Sequence, residues 1–382
     1  MQEDQGVISK VISWHISRDN LLTALKTVAG VVESSQVLPI LSNVHIKLNN
    51  NLLIMTASDS EVEVVSGCSV DFTDSCEIAV SCKKLFDICK TFNNNCNILF
   101  EYTEGWLKIT ADKANFTLAT LPANNFPMIA SADDSENIKL PERHLKNILN
   151  KTCFAMAHQD VRFFLNGLFL EVKNKTVTVT ATDGHRLARC SVGLDDPDVA
   201  NVSCIIPRKA VLELAKLLEE ADDEVVISIT DKNIKFSTKK FKLIATLLDG
   251  QYPACDSLLQ TPLEHDIAEI NSLEFKKVLS RAAILSHDKF KGARLLFADS
   301  QLSVSANNAE QEKSEDKMMI NYQGDLLELA FNINYITDVL NVLGKDSAWF
   351  YLSKQQKSVL VTEPDSSSSH YSSVFLIMPL AL

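Results

Sequence analysis

The chain has 382 residues, 46% of them apolar and 23% charged, with a net charge of −12. That length exceeds one ordinary core and predicts two or three domains, and the composition is that of a folded globular protein, which excludes a disordered or collagen-like chain. The acid excess argues against nucleic acid wrapped over the whole surface, and the longest apolar runs, such as VFLIMPLAL at 374–382, fall short of the roughly 18 residues that span a bilayer.

The chain opens on MQEDQGVISK, acidic and polar. With no basic start and no apolar core, it reads as a cytoplasmic protein without a secretory signal. Residues 17–32, SRDNLLTALKTVAGVV, carry apolar side chains at helical spacing. Residues 41–61, LSNVHIKLNNNLLIMTASDSE, alternate apolar and polar around an Asn-rich turn, the pattern of a hairpin. A second helical stretch follows at 81–92, SCKKLFDICKTF.

The order then returns. Helical spacing recurs at 141–157 and 207–218, and again at 272–286 and 332–344; hairpins recur at 165–185, LNGLFLEVKNKTVTVTATDGH, and 292–311, GARLLFADSQLSVSANNAEQ. Ala57, Ala181 and Ala306 lie 124 and 125 apart, and Pro127, Pro253 and Pro379 lie 126 apart. Asp87, Glu213 and Asp338 keep the same period in the second helical set. A unit of about 125 residues is too long for a solenoid repeat. The chain is therefore expected to be α+β, three tandem domains of two helices and antiparallel strands each: 1–130 (with an N-terminal extension, 1–11), 137–254 and 262–382. Polar stretches at 128–139 and 254–266 would link them.

Charge is not spread evenly over these elements. The six helical segments hold 14 Lys and Arg against six Asp and Glu, a net +8, which leaves −20 for the rest of the chain. Lys and Arg are good helix formers, but Glu is comparably good and is scarce there. A basic helical face on an acidic protein predicts phosphate contact without sequence reading. Neither aromatic stacking clusters nor helix-turn-helix or zinc-finger signatures are present.

Nothing in the sequence announces chemistry. It lacks phosphate-cradle glycine motifs, H-E-x-x-H and G-x-S-x-G. Nine cysteines include no C-x-x-C pair, so buried reduced thiols are expected and no metal or cofactor. Asp183 and His185, in ATDGHRLA, invite a catalytic reading, but Asp-Gly is a turn signal and no nucleophile or metal ligand stands nearby. A hydrolase built on this pair and a plain scaffold without DNA contact are the alternatives to a binding role.

MAHQDVRFFLNG (156–167), ATDGHRLA (181–188), IIPRKAV (205–211), RAAILSHDKFKGARL (281–295) and the closing LIMPLAL together resemble the bacterial DNA polymerase III β subunit family, the replication sliding clamps, over residues 12–382. The resemblance implies a non-enzymatic processivity factor: a head-to-tail homodimer of three-domain chains closing a ring around duplex DNA, helices inside. Lys83, Arg143, Lys146, Lys151, Gln159, Phe163, Phe164, Arg208, Lys209, Lys277 and Arg281 would face DNA. Ring closure would use Phe116 and Leu118 against Ile284 and Leu285, with Lys84 and Lys113 facing Glu310, Glu312, Glu315 and Asp316. A cleft between the second and third domains would take peptides from the polymerase III α subunit, the clamp loader, other polymerases and repair proteins. It maps onto Leu165, Thr182, Gly184, His185, Arg186, Leu187, Pro253, Leu258, Ser358, Leu376, Met378, Pro379 and Leu380. Relatives can carry basic residues where this chain has Ser35, Ser257 and Ala381; losing the last two predicts a preference for more apolar peptides.

Overall fold

In the computed structural model, residues 11–32, 38–129, 136–196, 199–261, 264–286, 291–354, 358–364 and 371–381 are described. Ser35, most of the N-terminal extension and parts of both expected linkers lie outside them. The six helices expected from apolar spacing form among the described residues: α1 (Arg18–Ala29), α2 (Cys82–Thr91), α3 (Glu142–Thr152), α4 (Arg208–Leu217), α5 (Ser272–Ile284) and α6 (Ile333–Val342). Starts follow local chemistry. The Asn271 side chain accepts from the Glu274 N–H at the head of α5, and Asn332 does the same for Asn334 at the head of α6.

All three hairpins form, and all three turn in the same way. The central pairs Asn50–Asn51, Asn174–Lys175 and Asp299–Ser300 have φ between +48° and +61°. Two consecutive left-handed residues make a turn whose twist matches that of the flanking strands. The repeated sequence pattern is thus a repeated backbone device.

The chain groups into two compact units. One holds residues 1–141 and 221–247, the other 142–220 and 248–382. The first is built on a twelve-stranded antiparallel sheet in which Val62–Ser69, from the first repeat, pairs with Phe241–Thr246, from the second. α1 packs on this sheet and on α2, burying Leu21, Leu25 and Val28. In the second unit an eight-stranded sheet likewise crosses a repeat boundary, through Arg186–Gly193 against Tyr371–Ile377. A four-stranded sheet, Lys313–Met319, Gln301–Asn307, Gly292–Ala298 and Leu327–Asn332, completes that unit. Main-chain pairing runs through the repeat boundaries, so the second repeat contributes strands to both units. Phe100 and Phe236 anchor the core of the first unit, and Phe275, Phe297 and Phe375 that of the second, each under 2% exposed.

Candidate functional site

The turn Thr182–Arg186 links two strands of the eight-stranded sheet, Thr176–Thr182 and Arg186–Gly193. Gly184 sits at φ +86°, in the region that costs a Cβ-bearing residue energy. Its amide donates to Thr182 Oγ1 at 3.1 Å, while that hydroxyl donates to the Arg186 carbonyl at 2.6 Å. Asp183 Oδ1 accepts from the amides of His185 and Arg186 at 2.9 and 3.0 Å, and Oδ2 accepts from Arg186 Nε at 3.0 Å. The carboxylate is therefore committed to holding the turn. The His185 ring makes no hydrogen bond among the described residues and lies parallel to the Tyr335 ring, centroids 6.4 Å apart. Asp183 and His185 do not form a catalytic dyad.

Beneath the turn, Leu187 pairs across strands with Leu376. With Leu360 and Cys255 they form a buried apolar cluster, against which Leu259 and Tyr351 pack. The short helical turn Asp256–Leu259 lies on the strand Tyr371–Ile377, and Arg189 Nη1 ties it down through Asp256 at 2.6 Å. Leu258 and Met378 are 45% and 41% exposed. Pro253, Gly184 and His185 are exposed, and Ser358, Pro379 and Leu380 half-buried. The Met378 amide donates to the His185 carbonyl and the Leu380 amide to that of Ala330. A buried aliphatic floor under an exposed Met, Leu, Pro and His rim is suited to apolar side chains of a peptide.

Leu165 departs from the expectation. The turn Phe163–Leu165 sends Phe163 outward, 53% exposed, and Leu165 inward, 1% exposed. Leu165 packs with Ala157, Ile205 and Tyr252 in a separate cluster. It supports the site from beneath: the Tyr252 hydroxyl, in that same cluster, accepts from the Thr182 amide at 3.0 Å. Burial holds the Tyr252 phenol above its ordinary pKa, so it stays protonated.

Lys151 also departs. Its ammonium is 2.5 Å from Glu363 Oε1, and the two side chains are 11% and 8% exposed. Gly344 donates its amide to the same oxygen at 2.9 Å. A cation sequestered this way has no reach to a phosphate, so Lys151 is a structural ion pair and not a DNA contact. The other expected DNA-facing groups are accessible to differing degrees. Lys83, Arg143, Gln159, Phe163, Lys277 and Arg281 are exposed; Lys146, Phe164, Arg208 and Lys209 are half-buried. Arg208 Nη1 donates to the Met156 carbonyl at 2.9 Å, and Arg281 is joined to Asp316 at 2.5 Å.

That last pair links a residue expected at DNA to one expected at ring closure. Among the other ring-closure residues, Ile284 is 77% exposed, Leu285, Phe116 and Leu118 are half-buried, and Lys84, Lys113, Glu310, Glu312 and Glu315 are exposed. Phe116 meets Phe92 edge-on at 5.9 Å. The backbones here share a feature. Residues 114–119 pair only with Trp106–Ala111, and Lys313–Met319 pairs only with Gln301–Asn307, among the described residues. Each leaves a strand edge open.

Several residues of the site escaped the sequence reading. Arg162 reaches over Gly184, its guanidinium 3.0 Å from where a Cβ would stand. It pairs with Asp160 at 2.8 Å, and that guanidinium lowers the Asp160 pKa to about 2. Phe154, Tyr335 and Asp338 surround Arg186. Of these, only Asp338 carried a sequence signal, its place in the repeat of acids on the second helix. Among the described residues, no group of three His, Cys, Asp or Glu could hold a metal ion and no helix is long and apolar enough to cross a membrane.

Comparison with solved structures places this architecture among the DNA polymerase sliding clamps. The DNA polymerase III subunit beta of Pseudomonas aeruginosa superposes with a TM-score of 0.92 at 38% identity, covering 97% of this chain and 100% of that one. A sliding clamp from the same organism, bound to griselimycin, gives 0.92 at 39% identity over 98% and 100%. Models of the DNA polymerase III beta subunit match in order: N-terminal domain at 12–130, central domain at 139–254, C-terminal domain at 262–380. Among individual sequences, the beta sliding clamp of Pseudomonas aeruginosa is 40% identical over 369 residues, 96% of this chain and 99% of the relative; that of Escherichia coli K12 is 33% identical over 96% and 99%. The chain belongs to the DNA polymerase III beta subunit family, with three tandem clamp domains.

Proposed function

We propose that the chain is the processivity clamp of its replicative DNA polymerase, a non-catalytic, cytoplasmic subunit acting as a head-to-tail homodimer that encircles duplex DNA and slides without reading sequence. The observation that carries this reading is the match to sliding clamps across all three domains, at TM-score 0.92 with full coverage of the relative. Three local features support it. The helices carry the positive charge of an acidic chain, which favours phosphate in a lumen and repels it elsewhere. The open edges of 114–119 and 313–319 could add strands to one another between two copies, with Phe116, Leu118, Ile284 and Leu285 as the apolar centre and the lysine and glutamate groups as a rim that sets register. The apolar floor and rim around Leu187, Leu376, Leu258 and Met378 would receive peptides from the α subunit, the clamp loader and other polymerases or repair proteins.

Retention on DNA tests the proposal. Loaded protein should stay on nicked circular DNA through high salt and leave the same DNA once it is linearised. Equal loss from circle and line would refute encirclement. A hydrolase reading would require turnover that His185→Ala abolishes, and a scaffold reading would require loading to survive charge reversal at Arg208, Lys209 and Lys277.

A further inference from the structure

The family resemblance places Arg186 among the peptide-cleft residues, but its guanidinium is already committed within the protein. Nε donates to Asp183 Oδ2 at 3.0 Å, Nη1 to Asp338 Oδ2 at 2.5 Å and Nη2 to the Phe154 carbonyl at 2.8 Å. Its carbon lies 4.6 Å from the Tyr335 ring centroid and 5.2 Å from that of Phe154. The side chain is 12% exposed. Each of its three nitrogens already has an acceptor within the protein, so three of its five N–H groups are spent on holding the side chain in place.

The engaged groups form a chain. Asp338 holds Arg186; Arg186 holds Asp183; Asp183 holds the amides of His185 and Arg186. Tyr335, three residues before Asp338 on α6, shares a helix face with it and lies against both Arg186 and His185. Gly184 and His185 are exposed and gain little order from burial, and Gly184 needs a left-handed φ. The Thr182 hydroxyl and the Met378 amide hold the backbone of this turn, and the polar chain adds a side-chain brace whose far end is α6.

Resting on the peptide-cleft reading, we propose that Asp338 is a positioning residue: through Arg186 it keeps the Asp183–His185 turn in its docking conformation before any peptide arrives. A lip that is already ordered spares the bound state the cost of ordering it. Asp338 would contact no peptide atom itself.

The test uses the full-length protein with Asp338→Ala and Asp338→Asn. The first readout is amide hydrogen exchange without peptide. His185 and Arg186 should exchange at least tenfold faster in the Ala variant, while the amides of α6 keep their wild-type rates. The second is affinity for a peptide spanning the clamp-docking segment of the α subunit, made as the free acid and as the amide. Ala should weaken both forms by about tenfold and equally, and Asn, which keeps an acceptor for Nη1, should restore part of the loss. Unchanged exchange at 185 and 186 overturns the proposal. So does a loss of affinity that differs between acid and amide, which would show direct contact, or faster exchange throughout α6, which would show a merely structural role. If wild-type protein binds neither peptide form, the cleft reading fails, and the exchange arm still decides the role of Asp338 in the turn.

Discussion

Replacing Lys151 with alanine separates two roles that the residue type alone leaves open. In wild type its ammonium and the Glu363 carboxylate are 2.5 Å apart, both nearly buried. The one further donor to that carboxylate among the described residues is the Gly344 amide, at 2.9 Å. Lys151→Ala leaves an anion under the surface with a single neutral donor. Stranding one partner of a buried pair costs about 3–5 kcal/mol, and for a cooperative unit of about 200 residues that lowers the melting temperature by about 10 °C. Replacing both, as Lys151→Met with Glu363→Leu, removes the stranded charge and should recover most of the loss, since an apolar pair of similar size often equals or exceeds a buried ion pair in stability. Differential scanning calorimetry on the three proteins reads this directly. A lysine that faced phosphate would behave in the opposite way: the alanine variant would melt like wild type, and the slope of log affinity against log salt for duplex DNA would fall by about 0.9. Unchanged melting with a reduced slope would refute the burial argument.

Gly184→Ala forces a side chain into φ +86° and places Cβ 3.0 Å from Arg162 Nη2; the strain of about 1 kcal/mol or more should lower the melting temperature by about 2–4 °C and weaken peptide binding measured by fluorescence anisotropy. Tyr252→Phe removes the acceptor of the buried Thr182 amide, which should cost about 1–3 kcal/mol in chemical denaturation. Burial lifts the Cys89, Cys190 and Cys204 thiols from 9.0 to about 12 and Cys82 to about 11. They should resist a disulfide reagent at pH 8 in folded protein, while half-buried Cys96 and Cys153 react sooner. Because the folded state holds those protons more tightly than the unfolded chain, their contribution to stability is complete below pH 9 and is lost as pH rises through 9 toward 12, so urea midpoints should fall across that window.

The repeat was legible because it is written in local chemistry. Polar pairs at 50–51, 174–175 and 299–300 interrupt strict alternation, and each adopts the same left-handed turn. Apolar spacing located all six helices to within a few residues. What stayed hidden depends on partners far along the chain. Lys151 meets its carboxylate 212 residues later, and Arg186 meets Asp338 152 residues later; neither pairing leaves a periodic trace. Leu165 reads as a surface anchor only until the turn at 163–165 sends Phe163 outward in its place. The strand pairings Val62–Ser69 with Phe241–Thr246 and Arg186–Gly193 with Tyr371–Ile377 likewise join repeats whose sequences treat them as separate.

These long-range pairings bear on how the proposed peptide cleft would serve more than one partner. The second and third repeats meet through a continuous sheet, through the buried pair Lys151–Glu363 and through the Arg186–Asp338 link. Each is directional, so together they fix the register between the two halves of the proposed docking surface and do little to make it apolar. The apolar work falls to the floor of Leu187, Leu360 and Leu376, which is fully packed, and to the rim, where Met378 and Leu258 stand exposed. A methionine adapts its shape to different ligands at little energetic cost, whereas a floor closed by aliphatic packing does not. Ser257 and Ala381 stand exposed beside that rim without a charge. Discrimination among peptides should therefore come from how their apolar side chains fit the Met378–Leu258 rim, and neutralising acidic residues in a peptide should change its affinity by less than truncating its largest apolar anchor.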